Sequence, residues 1–300
     1  MKLFVFGYGY TGQALARRLG WPVVATVRSA EAADALKSQG VTPVDPADRK
    51  AMAAALEDVT AILVTAPPGD HGCPGLSALV PALAVSGAFP DWIGYLSTTG
   101  VYGDREGGWV FETSHLAARS IEGARRCRAE RDWLEVGRGM GLTVQVFRLP
   151  GIYGPGRSAF ERLEKSRNIV KPGQVFSRIH IDDIASGLAA SIARPRAGGI
   201  YNLCDDEPAP PQEVIAYAAR LIGREPPPEQ PFDPADTSRF FAENKRVSNA
   251  RAKAELGWRL AYPTYREGLE SIFKALPPGR GKGWDGGGML SATTPVRSIG

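Results

Sequence analysis

Three glycines that directly follow a short apolar run at the N-terminus constrain this chain more than any other feature. The run Lys2-Leu3-Phe4-Val5-Phe6 leads into Gly7-Tyr8-Gly9-Tyr10-Thr11-Gly12, and a segment of helix-forming residues, 13–19, follows. The apolar run predicts a buried parallel strand. The glycine spacing predicts a tight turn, close backbone approach to a pyrophosphate and close packing of strand against helix. Because strand, loop and helix occur in the required order, the segment predicts a dinucleotide-binding unit rather than a glycine-rich turn.

Apolar runs alternate with helical patterns over the first 150 residues. The predicted strands are residues 2–6, 23–27, 41–44, 61–64, 92–97 and 143–148, and the predicted helices are 13–19, 31–39, 49–57, 76–84 and 121–137. Strands that are apolar throughout are typical of a parallel sheet covered by helices on both faces. The predicted fold class is therefore α/β, a doubly wound parallel sheet of the Rossmann type.

The pattern becomes less regular after residue 150. We predict helices over 182–193 and 212–222, a short strand over 200–203, and an extended surface segment at the prolines of 226–234. Ser248 is predicted to cap a helix that continues through Leu256 and ends at Gly257. We expect residues 1–150 to form the dinucleotide-binding domain, with C-terminal elements returning to it, and residues 151–278 to form a smaller substrate lobe. The glycine-rich residues 279–300 are predicted to be a disordered tail.

Composition excludes several classes of protein. With 300 residues, 43% of them hydrophobic, the chain can bury a substantial core. No apolar stretch approaches the ~18 residues that a membrane helix needs. The net charge of +4 does not indicate nucleic-acid binding, because the arginines are interleaved with acidic residues. The cysteines lack zinc-ligand spacing. We expect a cytoplasmic protein with a small-molecule substrate, without a metal and without a membrane or nucleic-acid partner.

The residue after the second predicted strand bears on the form of the cofactor. A site for NAD usually has Asp or Glu there to accept from the ribose hydroxyls, whereas this chain has Arg28. A guanidinium pairs with a 2′-phosphate that a carboxylate would repel, so Arg28 favours NADP, with NAD as the alternative cofactor. Arg28 as a solvated loop residue is the competing interpretation. Asp45 is either a contact for the adenine amino group or a helix cap. The predicted cofactor contacts in this half are Gly7, Gly9, Tyr10, Thr11, Gly12, Arg28, Asp45, Ala66 and Pro67.

A second informative segment is Tyr95-Leu96-Ser97-Thr98-Thr99-Gly100-Val101-Tyr102-Gly103. Hydroxyl groups at the carboxyl end of a parallel strand lie where ligands enter open α/β sheets, which makes this segment a site candidate. The alternative is a strand exit whose hydroxyls are satisfied by turn hydrogen bonds.

Taken together, the motifs resemble the extended short-chain dehydrogenase/reductase family over about residues 1–278. The chain looks most like its atypical branch of NAD-dependent epimerase/dehydratase-like proteins, described as nucleoside-diphosphate-sugar epimerases. Besides the glycine motif, the segments that carry the resemblance are Ser97-Thr98-Thr99-Gly100-Val101-Tyr102-Gly103, Arg148-Leu149-Pro150-Gly151-Ile152-Tyr153-Gly154-Pro155-Gly156, Arg178-Ile179-His180-Ile181-Asp182-Asp183-Ile184-Ala185, Tyr201-Asn202-Leu203, Asn244-Lys245-Arg246-Val247-Ser248-Asn249 and Leu256-Gly257-Trp258.

The resemblance implies catalytic roles, and one of them meets an unexpected residue. Thr98 falls on the Ser/Thr that hydrogen-bonds a substrate oxygen. The catalytic Tyr-x-x-x-Lys pair of the family falls on Glu122 and Arg126, so the expected tyrosine is absent. A glutamate of ordinary pKa is ionised at neutral pH and is a poor proton donor, and an arginine offers no proton relay. The spacing of the two is also that of a surface ion pair. Tyr102 and Tyr153 are the alternative proton donors.

Further residues are assigned by the same resemblance. Pro150 and Gly151 would place backbone groups near the carboxamide of a nicotinamide. His180 is expected to shape the substrate lobe, and Lys245 and Arg246 to contact a substrate phosphate.

Two main hypotheses follow. The first is an NADP-preferring oxidoreductase or epimerase-like enzyme that transfers hydride at a hydroxyl-bearing carbon, with a sugar nucleotide as candidate substrate. The second is a cofactor-binding sensor or scaffold in which chemistry has been lost, which the missing tyrosine favours. A third hypothesis is that the protein is an epimerase that keeps its NAD tightly bound. A homodimer stays open, because the predicted helix 121–137 is unusually charged.

Overall fold

The structure is a computed structural model that describes residues 1–163, 168–233 and 241–276. The prediction of a tail over 279–300 lies outside the described residues. The strands are β1 (Leu3–Phe6), β2 (Val23–Thr26), β3 (Thr42–Val44), β4 (Ala61–Val64), β5 (Trp92–Thr98), β6 (Trp109–Val110), β7 (Val144–Leu149), β8 (Gly151–Tyr153), β9 (Asn168–Val170), β10 (Arg178–His180), β11 (Ile200–Asn202), β12 (Glu229–Pro231) and β13 (Arg246–Val247). The α-helices are α1 (Tyr10–Leu19), α2 (Ala30–Ser38), α3 (Arg49–Leu56), α4 (Pro74–Ser86), α5 (Ile121–Met140), α6 (Ile181–Ala193), α7 (Pro211–Leu221), α8 (Ala250–Leu256) and α9 (Tyr265–Lys274).

The main sheet confirms the predicted fold class. Within the described ranges, seven parallel strands lie in the order β3-β2-β1-β4-β5-β7-β11. The chain proceeds from β1 towards β2 on one side and later joins β4 on the other. A crevice therefore opens at the carboxyl ends of β1 and β4, where ligands bind in sheets of this topology.

Two layers of helices cover the sheet. On one face Leu15 of α1 and Leu188 of α6 pack in a core that also contains Trp92, all of them inaccessible to solvent. On the other face Leu56 of α3 and Trp133 of α5 pack with residues of α4. Both faces of β1 and β4, in the middle of the sheet, are therefore buried, which explains why these two strands are apolar throughout.

Residues after 150 divide between the sheet and a smaller group of elements. Strand β11 joins the main sheet beside β7, and α6 and α8 pack on one of its faces. In contrast, α7 and α9 enclose a separate core that includes Tyr153, Phe160 and Leu269. No helix in the described part of the chain is long and apolar enough to cross a bilayer.

The predicted boundaries differ from the observed ones at a few helices. Helix α4 extends two residues beyond the predicted range at each end, because Pro74 suits its first turn and Gly87, in the left-handed conformation, forms the C-cap. Pro81 is accommodated within the helix because it lies on the exposed side, where the unpaired carbonyl one turn earlier can meet water. Asn249 rather than Ser248 occupies the N-cap position of α8, but its side chain makes no capping hydrogen bond, and the Ser248 hydroxyl accepts from the Ala250 N–H at 3.3 Å. Helix α9 was not predicted, and a reciprocal hydrogen-bonded cap between Thr264 and Glu267 fixes where it begins.

Candidate functional site

The glycine loop forms an open cradle at the carboxyl end of β1. Gly7 has φ +93°, and a Cβ atom there would lie 2.7 Å from Thr65 Oγ1. A Cβ on Gly12 would lie 2.8 Å from Val5 Cγ1, so this glycine lets α1 pack closely on β1. At Gly9, in contrast, a Cβ would meet no atom within 4 Å. The loop therefore keeps an empty space above its middle glycine, which fits a pyrophosphate.

The N-terminus of α1 faces that space with its backbone amides unoccupied by a cap. Gly9 is the N-cap residue and supplies no side-chain hydrogen bond, and the first turn of the helix carries no acidic residue. Thr11 is buried, and the Tyr10 hydroxyl donates to the carbonyl of Pro155 at 3.0 Å. Burial raises the pKa of Tyr10 to about 12. An uncapped helix N-terminus of this kind attracts anions.

A cavity of about 1180 Å³ adjoins the cradle, and several of the predicted cofactor contacts line it. These are Gly7, Arg28, Ala66 and Pro67. The cavity also brings Arg49 and Lys50 to the same walls. Sequence reasoning missed these two cations, although a basic pair directly after the α3 cap Asp48 was a visible signal.

Asp45 is placed differently from the other predicted contacts. Its Oδ1 accepts from the Ala47 N–H at 2.9 Å, and among the described residues that line the cavity Asp45 is absent. The carboxylate thus stabilises a local turn, and the cap of the following helix is Asp48, which accepts from Lys50 and Ala51.

A short strap, residues 66–72, crosses one side of this cavity. Gly69 and Gly72 exchange backbone hydrogen bonds, which closes the strap into a tight loop. Asp70 within the strap forms an ion pair with Arg125 of α5. This exposed ion pair joins the strap to α5.

A second cavity, of about 640 Å³, opens at the carboxyl ends of β5 and β7. Thr98, Pro150 and Gly151 line it, as does Lys245. Thr98 Oγ1 accepts from the Gly100 N–H at 3.1 Å, which leaves its hydroxyl hydrogen for another acceptor. The structure thus brings the predicted substrate-positioning threonine and the predicted nicotinamide contacts to one cavity.

Glu122 and Arg126, which occupy the positions of the family's Tyr-x-x-x-Lys pair, lie apart from both cavity linings as far as the described residues show. Glu122 is exposed in the first turn of α5. The Arg126 guanidinium donates to the carbonyl of Leu96 and lies 5.9 Å from the centre of the Tyr95 ring. In this arrangement Arg126 steadies the end of β5.

The alternative proton donors are both held by hydrogen bonds within the protein. The Tyr102 hydroxyl is fully buried, donates to Asn202 Oδ1 at 2.7 Å and accepts from Arg148 Nη1 at 2.9 Å. Burial raises the pKa of Tyr102 to about 12. The Tyr153 hydroxyl points to the start of α9 and donates to the Thr264 carbonyl at 3.4 Å. Tyr102 is absent from the described residues that line the second cavity, whereas Tyr153 lines it but directs its hydroxyl to the Thr264 carbonyl. Neither hydroxyl is therefore free to pass a proton to substrate in this arrangement.

A buried ion pair organises the wall beneath the second cavity. Arg148 Nη2 lies 2.8 Å from Glu130 Oε2, and each side chain is 3% exposed. Ser97 donates to the same carboxylate, and Arg148 Nη1 also donates to the Glu112 carbonyl at 3.1 Å. The arrangement fixes α5 against β5 and β7.

The three residues predicted to contact substrate or to shape the substrate lobe have different environments from one another. Lys245 is 9% exposed, and its ammonium donates to the Gly103 carbonyl at 2.9 Å and pairs with Glu243. Arg246 donates to the Gly107 carbonyl and lies outside the cavity lining of the described residues. His180 is buried, and its Nδ1 accepts from the Asp182 N–H at 3.2 Å, which caps α6. Its ring packs edge-on against Tyr153. His180 therefore shapes the lobe from within its core.

Burial of His180 predicts an acid-sensitive fold. Burial lowers the pKa of His180 from 6.5 to about 4, against the opposing effect of Asp182. Between these two pH values the unfolded chain binds a proton at His180 that the folded chain does not bind. The free energy of unfolding therefore has its full value above the pKa of the unfolded state and falls as the pH drops towards the pKa of the folded state. The variant His180→Asn keeps an oxygen that can cap α6 but has no titrating group at this position. From about pH 7 to pH 5, the free energy of unfolding of the wild type should fall by about 2 kcal/mol more than that of this variant. Urea unfolding across this range measures the difference.

The exposed His115 provides the matched control for that experiment. His115→Asn should follow the wild-type curve at every pH. Parallel pH curves for the wild type and His180→Asn would contradict the expected linkage.

The parallel sheet, together with the glycine cradle at the crevice between the carboxyl ends of β1 and β4, defines a Rossmann-type α/β protein. The chain is 47% identical to a solved structure described as a functionally unknown conserved protein from Silicibacter pomeroyi DSS, over 91% of this chain and 98% of that one, with a TM-score of 0.82. At this identity and coverage, the chain belongs to the same family as that protein.

The chain is also similar to a second sequence relative and to a more distant solved structure. Protein YeeZ of Escherichia coli (strain K12) is 29% identical over 280 residues, which is 87% of this chain and 96% of that protein. A dTDP-glucose 4,6-dehydratase from Bacillus anthracis, solved in complex with NAD, is 18% identical with a TM-score of 0.74, over 91% of this chain and 96% of that one. At that identity the likeness concerns the fold alone. No protein-family model matches the chain.

Proposed function

We propose that this protein is an NADP-dependent oxidoreductase that acts at a hydroxyl-bearing carbon of a small molecule. The observation that carries the proposal is the cradle: Gly7 and Gly12 permit close approach where a side chain would collide, and Gly9 leaves room for a diphosphate. The adjoining cavity supplies space for an adenosine, and three basic side chains, Arg28, Arg49 and Lys50, line its walls. A bound nicotinamide would supply hydride donation or acceptance.

Residues of the chain itself would bind the cofactor and orient the substrate. The α1 amides would hold the diphosphate, and Pro150 and Gly151 would border the nicotinamide. Thr98 would orient the reacting oxygen of the substrate by donating its free hydroxyl hydrogen. The hydroxyls of Tyr102 and Tyr153 are engaged within the protein, so we leave both out of the proton-transfer role.

A fluorescence titration tests the first step. Purified protein is titrated with NADPH and with NADH while reduced-nicotinamide fluorescence is followed. Saturable binding with a preference for NADPH supports the proposal, and a lack of saturable binding of either cofactor would overturn it.

Arg28 is expected to select the phosphorylated cofactor. Replacement by glutamate removes a guanidinium partner of the 2′-phosphate and adds repulsion, so NADPH should bind at least about tenfold more weakly. NADH, which lacks that phosphate, should bind within about twofold of wild type. Dissociation constants from the fluorescence titration measure both effects.

Arg138→Glu makes the same charge change at an exposed position of α5 and serves as the control. It should leave both dissociation constants unchanged. Equal weakening of NADPH by the two variants would attribute the effect to net charge and remove Arg28 from the site.

The second candidate is a cofactor-binding sensor that does not turn over. The positions of Glu122 and Arg126 favour it, because within the described residues neither lines the cavity where a substrate oxygen would meet Thr98. Steady-state turnover of NADPH with a panel of carbonyl compounds and sugar nucleotides separates the candidates. Sustained turnover excludes the sensor, whereas saturable binding without turnover across the panel favours it.

Sugar nucleotides are the first substrate class to test, since the family resemblance of the sequence implies them. Epimerisation with a retained NAD and assembly as a homodimer are tested together by native mass spectrometry. That measurement reports the mass of any bound dinucleotide and the number of subunits in one spectrum.

A further inference from the structure

The polar side chains around the second cavity are largely committed to the protein itself. Ser158 binds Glu161, and Ser177 accepts from the Val247 N–H at 3.0 Å. Lys245 is paired with Glu243 and the Gly103 carbonyl. These groups shape the cavity but offer few hydrogen bonds to a ligand.

The walls between these groups are apolar. Val175, Phe176 and Phe241 form one side, with the two phenylalanine rings in an edge-on arrangement at 6.1 Å. Val214 and Ile215 of α7 form the other. A ligand gains most here by burying an apolar body.

Among the described residues that line the cavity are three arginines, Arg157, Arg162 and Arg178, and Arg178 differs from the other two because it is half-buried rather than exposed. Arg178 Nη1 donates to the carbonyls of Phe176 and Ala209 at 2.8 and 2.9 Å, which fixes the guanidinium. Among the described residues it forms no ion pair, and its Nε and Nη2 make no hydrogen bond. The remaining face of the fork is therefore available to an anion.

A buried acid, Asp205, interacts electrostatically with this cation but forms no ion pair with it among the described residues. Asp205 is 1% exposed and donates its backbone N–H to the Arg178 carbonyl at 2.7 Å, but its carboxylate oxygens make no hydrogen bond among the described residues. Burial raises the pKa of the Asp205 carboxyl well above its usual range, which favours the neutral form. Because the Arg178 guanidinium forms no ion pair with a described residue, an external anion can supply one.

We propose that the second cavity binds a compact organic anion, with its apolar body between the aliphatic and aromatic walls and its carboxylate or phosphate against Arg178. This inference rests on the proposed function, because it names the substrate class of that same site. It departs from a nucleoside diphosphate sugar. Such a ligand carries many hydroxyl and carbonyl groups, which would lose water against apolar walls without gaining partners.

Isothermal titration with the NADPH-saturated protein tests the inference. The ligands are trans-cinnamate, cinnamyl alcohol as the uncharged counterpart of the same body, phenyl phosphate, and UDP-glucose. Cinnamate or phenyl phosphate should bind at least about tenfold tighter than cinnamyl alcohol, because only the anions pair with a guanidinium. UDP-glucose should bind more weakly than the better of the two anions. The cinnamate and phenyl phosphate arms distinguish a carboxylate from a phosphate.

Variants locate the anion contact. Arg178→Gln should weaken binding of the better anion by at least about tenfold and leave cinnamyl alcohol unchanged, while Arg178→Lys should restore part of the loss. Arg162→Gln, at an exposed arginine on the rim of the same cavity, is the matched control and should have a small effect. If Arg178→Gln fails to fold, the wild-type comparison of anion with alcohol decides the question alone.

The results that would overturn this inference differ from those that would overturn the proposed function. UDP-glucose binding tighter than both anions, equal binding of cinnamate and cinnamyl alcohol, or a folded Arg178→Gln with unchanged anion affinity would overturn the inference. So would the absence of binding by every ligand while NADPH still saturates the protein. Loss of NADPH binding itself would instead overturn the proposed function.

Discussion

Replacement of Gly9 by valine is expected to abolish NADPH binding while the protein stays folded. The backbone at Gly9 has φ −93° and ψ −163°, an extended conformation that valine adopts readily. A Cβ there would meet no protein atom within 4 Å, so the new side chain enters only the space above the α1 amides. The dissociation constant of NADPH should rise at least about a hundredfold, measured by fluorescence titration. Loss of a glycine N-cap should cost only about 1 kcal/mol of stability.

Gly139→Val controls for the valine itself, because Gly139 is exposed on α5 and its Cβ would also meet open space. It should bind NADPH as the wild type does. If Gly9→Val folds and still binds NADPH with wild-type affinity, no diphosphate lies over the cradle and the assignment of a nicotinamide cofactor fails.

Removal of one partner of the buried pair between Arg148 and Glu130 should produce the largest loss of stability. Arg148→Met leaves the Glu130 carboxylate buried with only the Ser97 hydroxyl, and it also removes the donor to Tyr102. The free energy of unfolding should fall by about 3 to 5 kcal/mol, measured by urea denaturation. The double variant Glu130→Leu with Arg148→Met should recover part of that loss, because it leaves no uncompensated charge.

An exposed pair on the same helix provides the comparison. Arg131 and Glu135 lie 3.9 Å apart with both side chains more than half exposed, so Glu135→Gln should change stability by less than about 0.5 kcal/mol. If Arg148→Met is no more damaging than Glu135→Gln, the buried pair does not hold α5 on the sheet.

Local sequence patterns were sufficient to predict most of the main sheet. Strands β1 and β4 are apolar throughout because helices cover both of their faces, and β5 and β7 carry only a few polar residues. Helix α9 escaped prediction because it is short, although the spacing of Thr264 and Glu267 was the relevant signal. Ser248 and Asn249 both favour a helix start, and only the tertiary position of the chain decided between them.

The candidate site was less predictable than the fold. Glycines with a geometric role, such as Gly7 and Gly12, are recognisable because their neighbours along the chain define the loop. The grouping of Arg28 with Arg49 depends on two strands lying side by side, which no local pattern reports. The engagement of Tyr102 by Asn202, one hundred residues further along the chain, was equally invisible.

Helix α5 contacts the border of each cavity, although none of its described residues lines either one. Its Arg125 pairs with Asp70 of the strap beside the larger cavity, and five residues later Glu130 pairs with Arg148 near the end of β7, beside the smaller cavity. The two borders thus share one helix as a support, but the two contacts differ in strength, because the Arg125–Asp70 pair is exposed to solvent whereas the Arg148–Glu130 pair is buried.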